Sequence, residues 1–250
     1  MSNDIQNYKF LINGLPVEAT YHLKDINDIF IPLLQKLSNI QKELDRRIVI
    51  FIGAAPGTGK STLSAFLEYL SKKIDGLTPI QSVGLDGFHY DNNYLKSHCI
   101  NDDDSQPLLI SIKGSLETFD LSELQSKLDS IQSDDCLWPS YSRTDHDVIN
   151  NAVKITEKII VLEGNYLLLN INNWDILKRY ADYTIFVYSD KSLLKSRLIE
   201  RKIEGGSTDT EANMHFNNVD AKNIDIVLKN SSKADLTLFL NNDLSFKIMK

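Results

Sequence analysis

Residues 54–61 read Ala-Ala-Pro-Gly-Thr-Gly-Lys-Ser, the materials of a phosphate cradle. Glycines let consecutive backbone N–H groups curl around anionic oxygens. A helix that starts at the end of such a turn adds the positive end of its dipole. Lys60 then reaches the β- and γ-phosphates of a nucleoside triphosphate, and the Ser61 hydroxyl ligates Mg²⁺. The turn formed by Ala55, Pro56, Gly57, Thr58 and Gly59 is the expected wall of the cradle. Ala54 stands where the pattern usually has glycine, with Gly53 one step earlier. An alanine fits there if its φ is negative.

Moving a phosphoryl group requires more than a cradle. It needs a metal, a group that orients or deprotonates the acceptor hydroxyl, cations for the transferred charge, and exclusion of water. Asp86 follows a short apolar run and precedes Gly87. At the carboxyl end of a parallel strand it would face ligands and accept a hydroxyl proton. The competing reading is a turn aspartate that stabilises Asp-Gly. Glu163 follows Ile159-Ile160-Val161-Leu162. At that rim it would hold Mg²⁺ directly or through water, beside the acceptor. The competing reading is a surface glutamate at a strand end. Arg197 and Arg201 are one helical turn apart and share a face. With Gly205-Gly206-Ser207 after them, they suggest a lid around residues 195–207 that brings guanidinium groups onto phosphates. A solvated basic face is the alternative there, and it is the preferred reading of Lys195 and Lys202. His89 and Tyr90 follow Asp86 closely and are candidates to line the acceptor pocket. Arg143 and His146 sit in a polar turn; Arg143 is carried as a substrate contact, and His146 reads as structural or exposed.

These residues need strands that end at one rim. Arg47 to Ile52 is a strand into the cradle, followed by a helix to about Lys73. Residues 79–85, 158–162 and 181–188 read as further core strands. The continuous apolarity of 158–162 and 181–188 suits a sheet covered on both faces. Residues 8–21 read as a hairpin around Asn13-Gly14. Residues 25–44 show helical spacing, with Pro32 marking a kink or break. Residues 91–115 read as irregular, and the acidic run 102–104 as a solvated loop. Asp120 opens a helix to about Ile131 as a capping box with Glu123. Residues 136–142 and 152–156 read as strands around a polar turn, 192–204 as a helix ended by Gly205-Gly206, and 208–229 as one or two helices. Residues 236–240 and 245–249 close the sheet. The fold class is α/β: a doubly wound parallel sheet with helices on both faces and an N-terminal hairpin plus helix.

The 250 residues suit one large domain rather than two. The net charge is −7 and no basic cluster is present, which disfavours a duplex nucleic-acid partner. Cys99 and Cys136 lack metal spacing and read as free thiols. Residues 1–9 are polar, with no signal-peptide core, and no window reaches the roughly 18 apolar residues of a membrane span. A soluble cytoplasmic protein is expected, without a membrane partner. No Asn-Lys-x-Asp guanine-reading motif and no Leu-Ser-Gly-Gly-Gln transporter signature occur.

Five stretches stand in a telling order: residues 54–61, Leu85-Asp86-Gly87-Phe88-His89-Tyr90-Asp91-Asn92, Lys113-Gly114 with Glu117-Thr118-Phe119-Asp120, Pro139-Ser140-Tyr141-Ser142-Arg143, and Leu162-Glu163-Gly164-Asn165-Tyr166-Leu167-Leu168. Together they resemble the phosphoribulokinase/uridine kinase family of P-loop kinases. The nearest likeness is to its pantothenate-kinase-like branch, which includes nucleoside/nucleotide kinase and fructose-transport-system kinase types. The resemblance covers roughly residues 47–240 and implies a P-loop kinase domain over 47–250, with 1–46 packed on it. It implies ATP as donor, Mg²⁺ as cofactor and a small hydroxyl compound as acceptor. It gives Lys60 and Ser61 the phosphates and the metal, Asp86 the base role, Glu163 the metal-side acid, and Arg197 and Arg201 the lid. Thr62 joins the phosphate contacts and Asn223 falls near the nucleotide. The chain departs from uridine kinases, which have serine, phenylalanine and tyrosine after the aspartate, and from pantothenate kinases in residues 139–147. The expected activity is γ-phosphoryl transfer to a hydroxyl of a sugar, nucleoside or pantothenate-like metabolite, by a monomer or homodimer. The alternative is a nucleotide-dependent regulatory ATPase or assembly factor without a small-molecule acceptor.

Overall fold

The computed structural model describes residues 4–100, 106–171 and 173–249, so the acidic run 102–104 lies outside the described residues. The chain opens with strands β1, Ile5–Ile12, and β2, Leu15–His22. Asn13 and Gly14 between them have φ of 51° and 85°, the left-handed pair that a two-residue hairpin turn requires. A short helical stretch, α1 (Leu23–Asp25), passes through a π turn at Ile26–Phe30 into α2, Ile31–Leu44. The cause is Pro32. It has no N–H to offer the carbonyl four residues back, and Ile31 donates instead to the carbonyl of Ile26, five back. The expected break is therefore a π turn inside a continuous helical run.

Next come β3, Ile48–Ala54, the glycine-rich loop, α3, Lys60–Lys73, and β4, Ile80–Gly84. The stretch read as irregular contains a helix, α4 (Asn92–Ser97), because the Asp91 carboxylate accepts from the N–H groups of Asn93 and Tyr94 and so caps it. Helix α5, Leu121–Asp129, is capped by Asp120. Strands β5, Leu137–Ser142, and β6, Asp147–Lys154, form a separate two-stranded ribbon. β6 starts earlier than expected because Ser142 already pairs with Asp147; most of β6 is exposed, so its asparagines carry no burial cost. Strand β7, Ile159–Gly164, and strand β8, Tyr183–Ser189, precede α6, Lys191–Glu204. Helix α7, Asp209–His215, continues through a second π turn, Phe216–Asp220, into α8, Ala221–Asn230. Strands β9, Leu236–Leu240, and β10, Phe246–Met249, finish the chain.

The six-stranded sheet has the order β10-β9-β8-β3-β7-β4. All neighbours are parallel except β10, which runs antiparallel to β9. Strand residues alternate between its two faces. Ile48, Ile50, Ile52, Ile159 and Val161 pack toward α2, α3 and the hairpin. Val49, Phe51, Ile160 and Leu162 pack toward α5, α6 and α8. Both faces are thus covered, and the expected α/β class is the observed one. No described helix is long and apolar enough to cross a membrane.

The hairpin belongs to the first of these cores. Tyr21 stacks on Phe66 of α3 at 3.8 Å between ring centroids, and Phe30 meets Phe66 edge-on at 5.6 Å. Phe66 is fully buried among them. Phe66→Ala should cost about 3–5 kcal/mol of stability, read as a lower urea midpoint at unchanged slope.

Candidate active site

Parallel register brings the functional strand ends to one rim. Glu163 of β7 lies opposite Ile52 of β3 on one side and Gly84 of β4 on the other. Two residues beyond Gly84, Asp86 sits in a single 3₁₀ turn, Leu85–Phe88. That turn lies tight against the ribbon. A Cβ at Gly87 would come within 2.5 Å of the Pro139 carbonyl oxygen, so only glycine permits the approach.

The loop after β3 has Gly57 and Gly59 both at φ +84°, where a side chain is strained. Ala54 is the buried last residue of β3 and its φ is not positive, so alanine is accommodated there. Ala55 and Pro56 are buried as well. The Thr58 hydroxyl is buried and donates to the Ala55 carbonyl at 2.8 Å, which closes the turn on itself. Lys60, Ser61 and Thr62 form the first turn of α3.

Glu163 is only 6 % exposed, so the surface reading of this residue is ruled out. Burial raises its carboxyl pKa, the nearby Lys60 lowers it, and Asp86 raises it again. A hydrogen bond from Ser61 and the charge of Arg143 also favour its ionised form. Burial likewise lowers the Lys60 pKa, opposed by Glu163 and Asp86 and reinforced by Arg201 and Arg143. Lys60, Glu163, Asp86, Arg143 and Arg201 therefore share one weakly solvated cleft. The Ser61 hydroxyl beside the Glu163 carboxylate is a hard-oxygen pair. It suits Mg²⁺, which takes few protein ligands and leaves the rest to phosphates and water.

Helix α6 is docked onto the loop. Arg197 Nη1 donates to the carbonyls of Gly57 and Thr58 at 3.3 and 3.5 Å. A Cβ at Gly57 would lie 3.0 Å from the Leu194 carbonyl oxygen. Arg201, one helical turn further along, is exposed as a whole residue, but its guanidinium lies toward the cleft, where lost solvation and the like charge of Arg143 lower its pKa. Lys195 lies over the Phe216 ring at 5.4 Å. Gly206, at φ +97°, takes the left-handed position that ends the helix. A cavity of about 450 Å³ opens between α6 and α8, lined by Lys191, Lys195, Phe216 and Lys222 among others.

On the other side of Asp86 is a smaller cavity, about 120 Å³, lined by Asp86, Ser82, Trp138, Ser140, Tyr141 and, unexpectedly, Asn13. His89 and Tyr90 do not line it. His89 is buried against Phe119, and its Nδ1 meets the Asp86 carbonyl at 2.9 Å; burial lowers its pKa. Tyr90 stacks on Tyr94. Asn223 is buried, and its amide donates to the Gly114 carbonyl at 3.1 Å, which also accepts from Tyr166 at 2.7 Å. Lys113, given no role from sequence, donates to Asn92 and to the His146 carbonyl, both at 2.7 Å, and lies over the Tyr141 ring. Tyr141 carries a local signal, since it belongs to the Pro139–Arg143 stretch of the family resemblance; nothing local marks Asn13.

The sequence pattern of the Phosphoribulokinase / Uridine kinase family matches residues 49–239. The chain belongs to that family. Its members are P-loop kinases of small molecules. An uncharacterized Escherichia coli K12 protein, YggC, is 37% identical over 93% of this chain and 94% of its own. A pantothenate kinase of Enterococcus faecalis is 26% identical over 76% of this chain and 66% of its own length. Among solved structures, a candidate fructose transport system kinase from Silicibacter sp. TM1040 superposes with a TM-score of 0.68 at 27% identity, covering 80% of this chain and 98% of that one. The kinase class, the nucleotide-binding loop and the uridine-kinase-like family read from sequence agree with these findings.

Gly57→Ala should abolish the rise in melting temperature that MgATP gives the wild type. Its far-UV circular dichroism should stay unchanged, because the strain falls on the loop and not on the sheet.

Proposed function

We propose that the chain is an ATP-dependent kinase that transfers the γ-phosphoryl group to a hydroxyl of a small metabolite: a sugar, a nucleoside or a pantothenate-like compound. The observation that carries this reading is a carboxylate, Asp86, whose charge acts on Lys60 of the phosphate loop and which also lines a separate small cavity. A regulatory ATPase has no need of that second cavity.

The residues take the following roles. The loop from Ala55 to Gly59, with Lys60, Ser61 and Thr62, holds the phosphates. Ser61 and Glu163 would hold Mg²⁺, which would neutralise phosphate charge. Asp86 accepts the hydroxyl proton of the acceptor as its oxygen bonds to the γ-phosphorus and the bond to ADP breaks. Arg197 stiffens the loop, and Arg201 and Arg143 face the transferred charge from the rim. The larger cavity between α6 and α8 takes the base and ribose end of the nucleotide. In this reading residues 47–250 are the kinase domain, 195–207 its lid, and 1–46 an attached element. The protein works in solution as a monomer or homodimer, in the cytoplasm.

Asp86→Asn should cut acceptor-dependent ADP release by about 10²–10⁴-fold while nucleotide affinity changes less than twofold. Lys60→Ala should weaken nucleotide affinity and turnover together. A mass-spectrometric screen of cytosolic metabolites for phosphorylated products identifies the acceptor. Full turnover by Asp86→Asn, or ADP release that no metabolite stimulates, contradicts this reading.

A further inference from the structure

The hairpin β1–β2 is not merely appended to the fold. Its tip reaches the ribbon β5–β6 across a long stretch of sequence. The Arg143 N–H donates to the Asn13 carbonyl at 3.2 Å. A Cβ at Gly14 would lie 3.6 Å from the Thr144 hydroxyl. Asn13 is half-buried there, although hairpin tips are ordinarily exposed.

The other end of the hairpin is fixed to the donor side. Tyr8 meets Phe66 and Tyr69 edge-on at 4.9 and 5.5 Å, and Tyr21 stacks on Phe66. Phe66 and Tyr69 belong to α3, the helix that the phosphate loop starts. The hairpin thus spans from the helix behind the phosphates to the ribbon over Asp86. Its two-residue left-handed turn leaves the tip little freedom.

We propose that the hairpin tip is a wall of the acceptor pocket, with Asn13 contacting the acceptor, and that it restricts this enzyme to a compact, neutral polyhydroxy compound of sugar size. The inference rests on the kinase reading above. The cavity that Asn13 shares with Asp86 holds about 120 Å³, well below the about 300–1,000 Å³ that drug-sized ligands occupy. The polar residues that line it are Asn13, Ser82, Asp86, Ser140 and Tyr141, with no lysine or arginine among them. Burial and the nearby Asp86 push the Tyr141 hydroxyl up to about 12, so it stays a neutral donor. Such a lining matches the hydroxyls of a neutral polyol better than an anionic acceptor.

Asn13→Asp tests this, because aspartate also tolerates the left-handed turn and places a second carboxylate in the pocket. Three measurements on the full chain are needed. Acceptor-dependent ADP release is measured over a panel graded by size, from glycerol through pentoses and hexoses to nucleosides and pantothenate. Affinity for a fluorescent ADP analogue is measured by titration. Hydrogen exchange at the Arg143 amide is followed by NMR. The expected results are turnover with a sugar-sized member, an acceptor KM raised tenfold or more in Asn13→Asp with a smaller change in kcat, and nucleotide affinity within twofold. The Arg143 amide should be protected in the wild type. An unchanged acceptor KM in the variant, turnover confined to nucleosides or pantothenate, or free exchange of the Arg143 amide overturns the hairpin proposal while the kinase reading stands. No stimulation of wild-type ADP release by any metabolite defeats the kinase reading, and the proposal with it.

Discussion

An ammonium and a carboxylate, Lys60 and Glu163, face each other at the end of a buried sheet. Burial works against the charge of both, and the opposite charge of each offsets only part of that cost for the other. The rest of the architecture follows from keeping them in place. β3 delivers the loop that ends in Lys60, and β7 delivers Glu163 between β3 and β4. A one-residue slip of β7 would turn Glu163 to the opposite face of the sheet. The continuous apolarity of both strands, locked by a separate core on each face, prevents that slip. The stability of the two cores is thus what holds the cleft's charges in register.

Around this pair the structure puts rigid contacts where chemistry needs fixed distances and long side chains where it needs reach. Thr58 closes the loop from within, and Arg197 braces it from α6. Gly87 lets the turn that carries Asp86 press against the ribbon. Gly114 collects two donors, Tyr166 and Asn223, from opposite directions. Through that carbonyl the segment after α4 is tied to the end of β7 and to α8. Arg201, by contrast, makes its approach with a long side chain from an exposed position on α6.

Most of this sheet could be read in the residues because its signals are local. The phosphate loop, the buried strands and the Asn13-Gly14 turn each declare themselves within about ten positions. The helix α4 has a local signal too: Asp91 followed by Asn92 and Asn93 is a capping pattern, masked by the polar residues around it. Other features could not be read. His89 and Tyr90 are adjacent to Asp86 in sequence, yet the tight 3₁₀ turn aims His89 at Phe119 instead of the cavity. Asn13 lines that cavity although more than seventy residues separate it from Asp86. Such placements depend on how two hairpins meet, which no spacing rule encodes. The π turn before Pro32 lay between the two: the proline gave its position, and only the packing of Phe30 between Tyr21 and Phe66 decided that the helix would continue.

The bond between the Asp25 carboxylate and the Phe246 N–H, with Phe246 edge-on against Phe30, has a consequence for how the chain acquires its shape. It joins positions 221 residues apart. Contacts of that span carry a large closure entropy and form late, after shorter loops have closed. On the ribosome, the hairpin and α2 emerge before β10 and find their last partner only when β10 has left the exit tunnel. Until then the aromatic face around Phe30 lacks part of its cover. Tyr21 and Phe66 already shield Phe30 by then, so the late strand closes the last side of a partly built core, the kind of surface at which premature association begins.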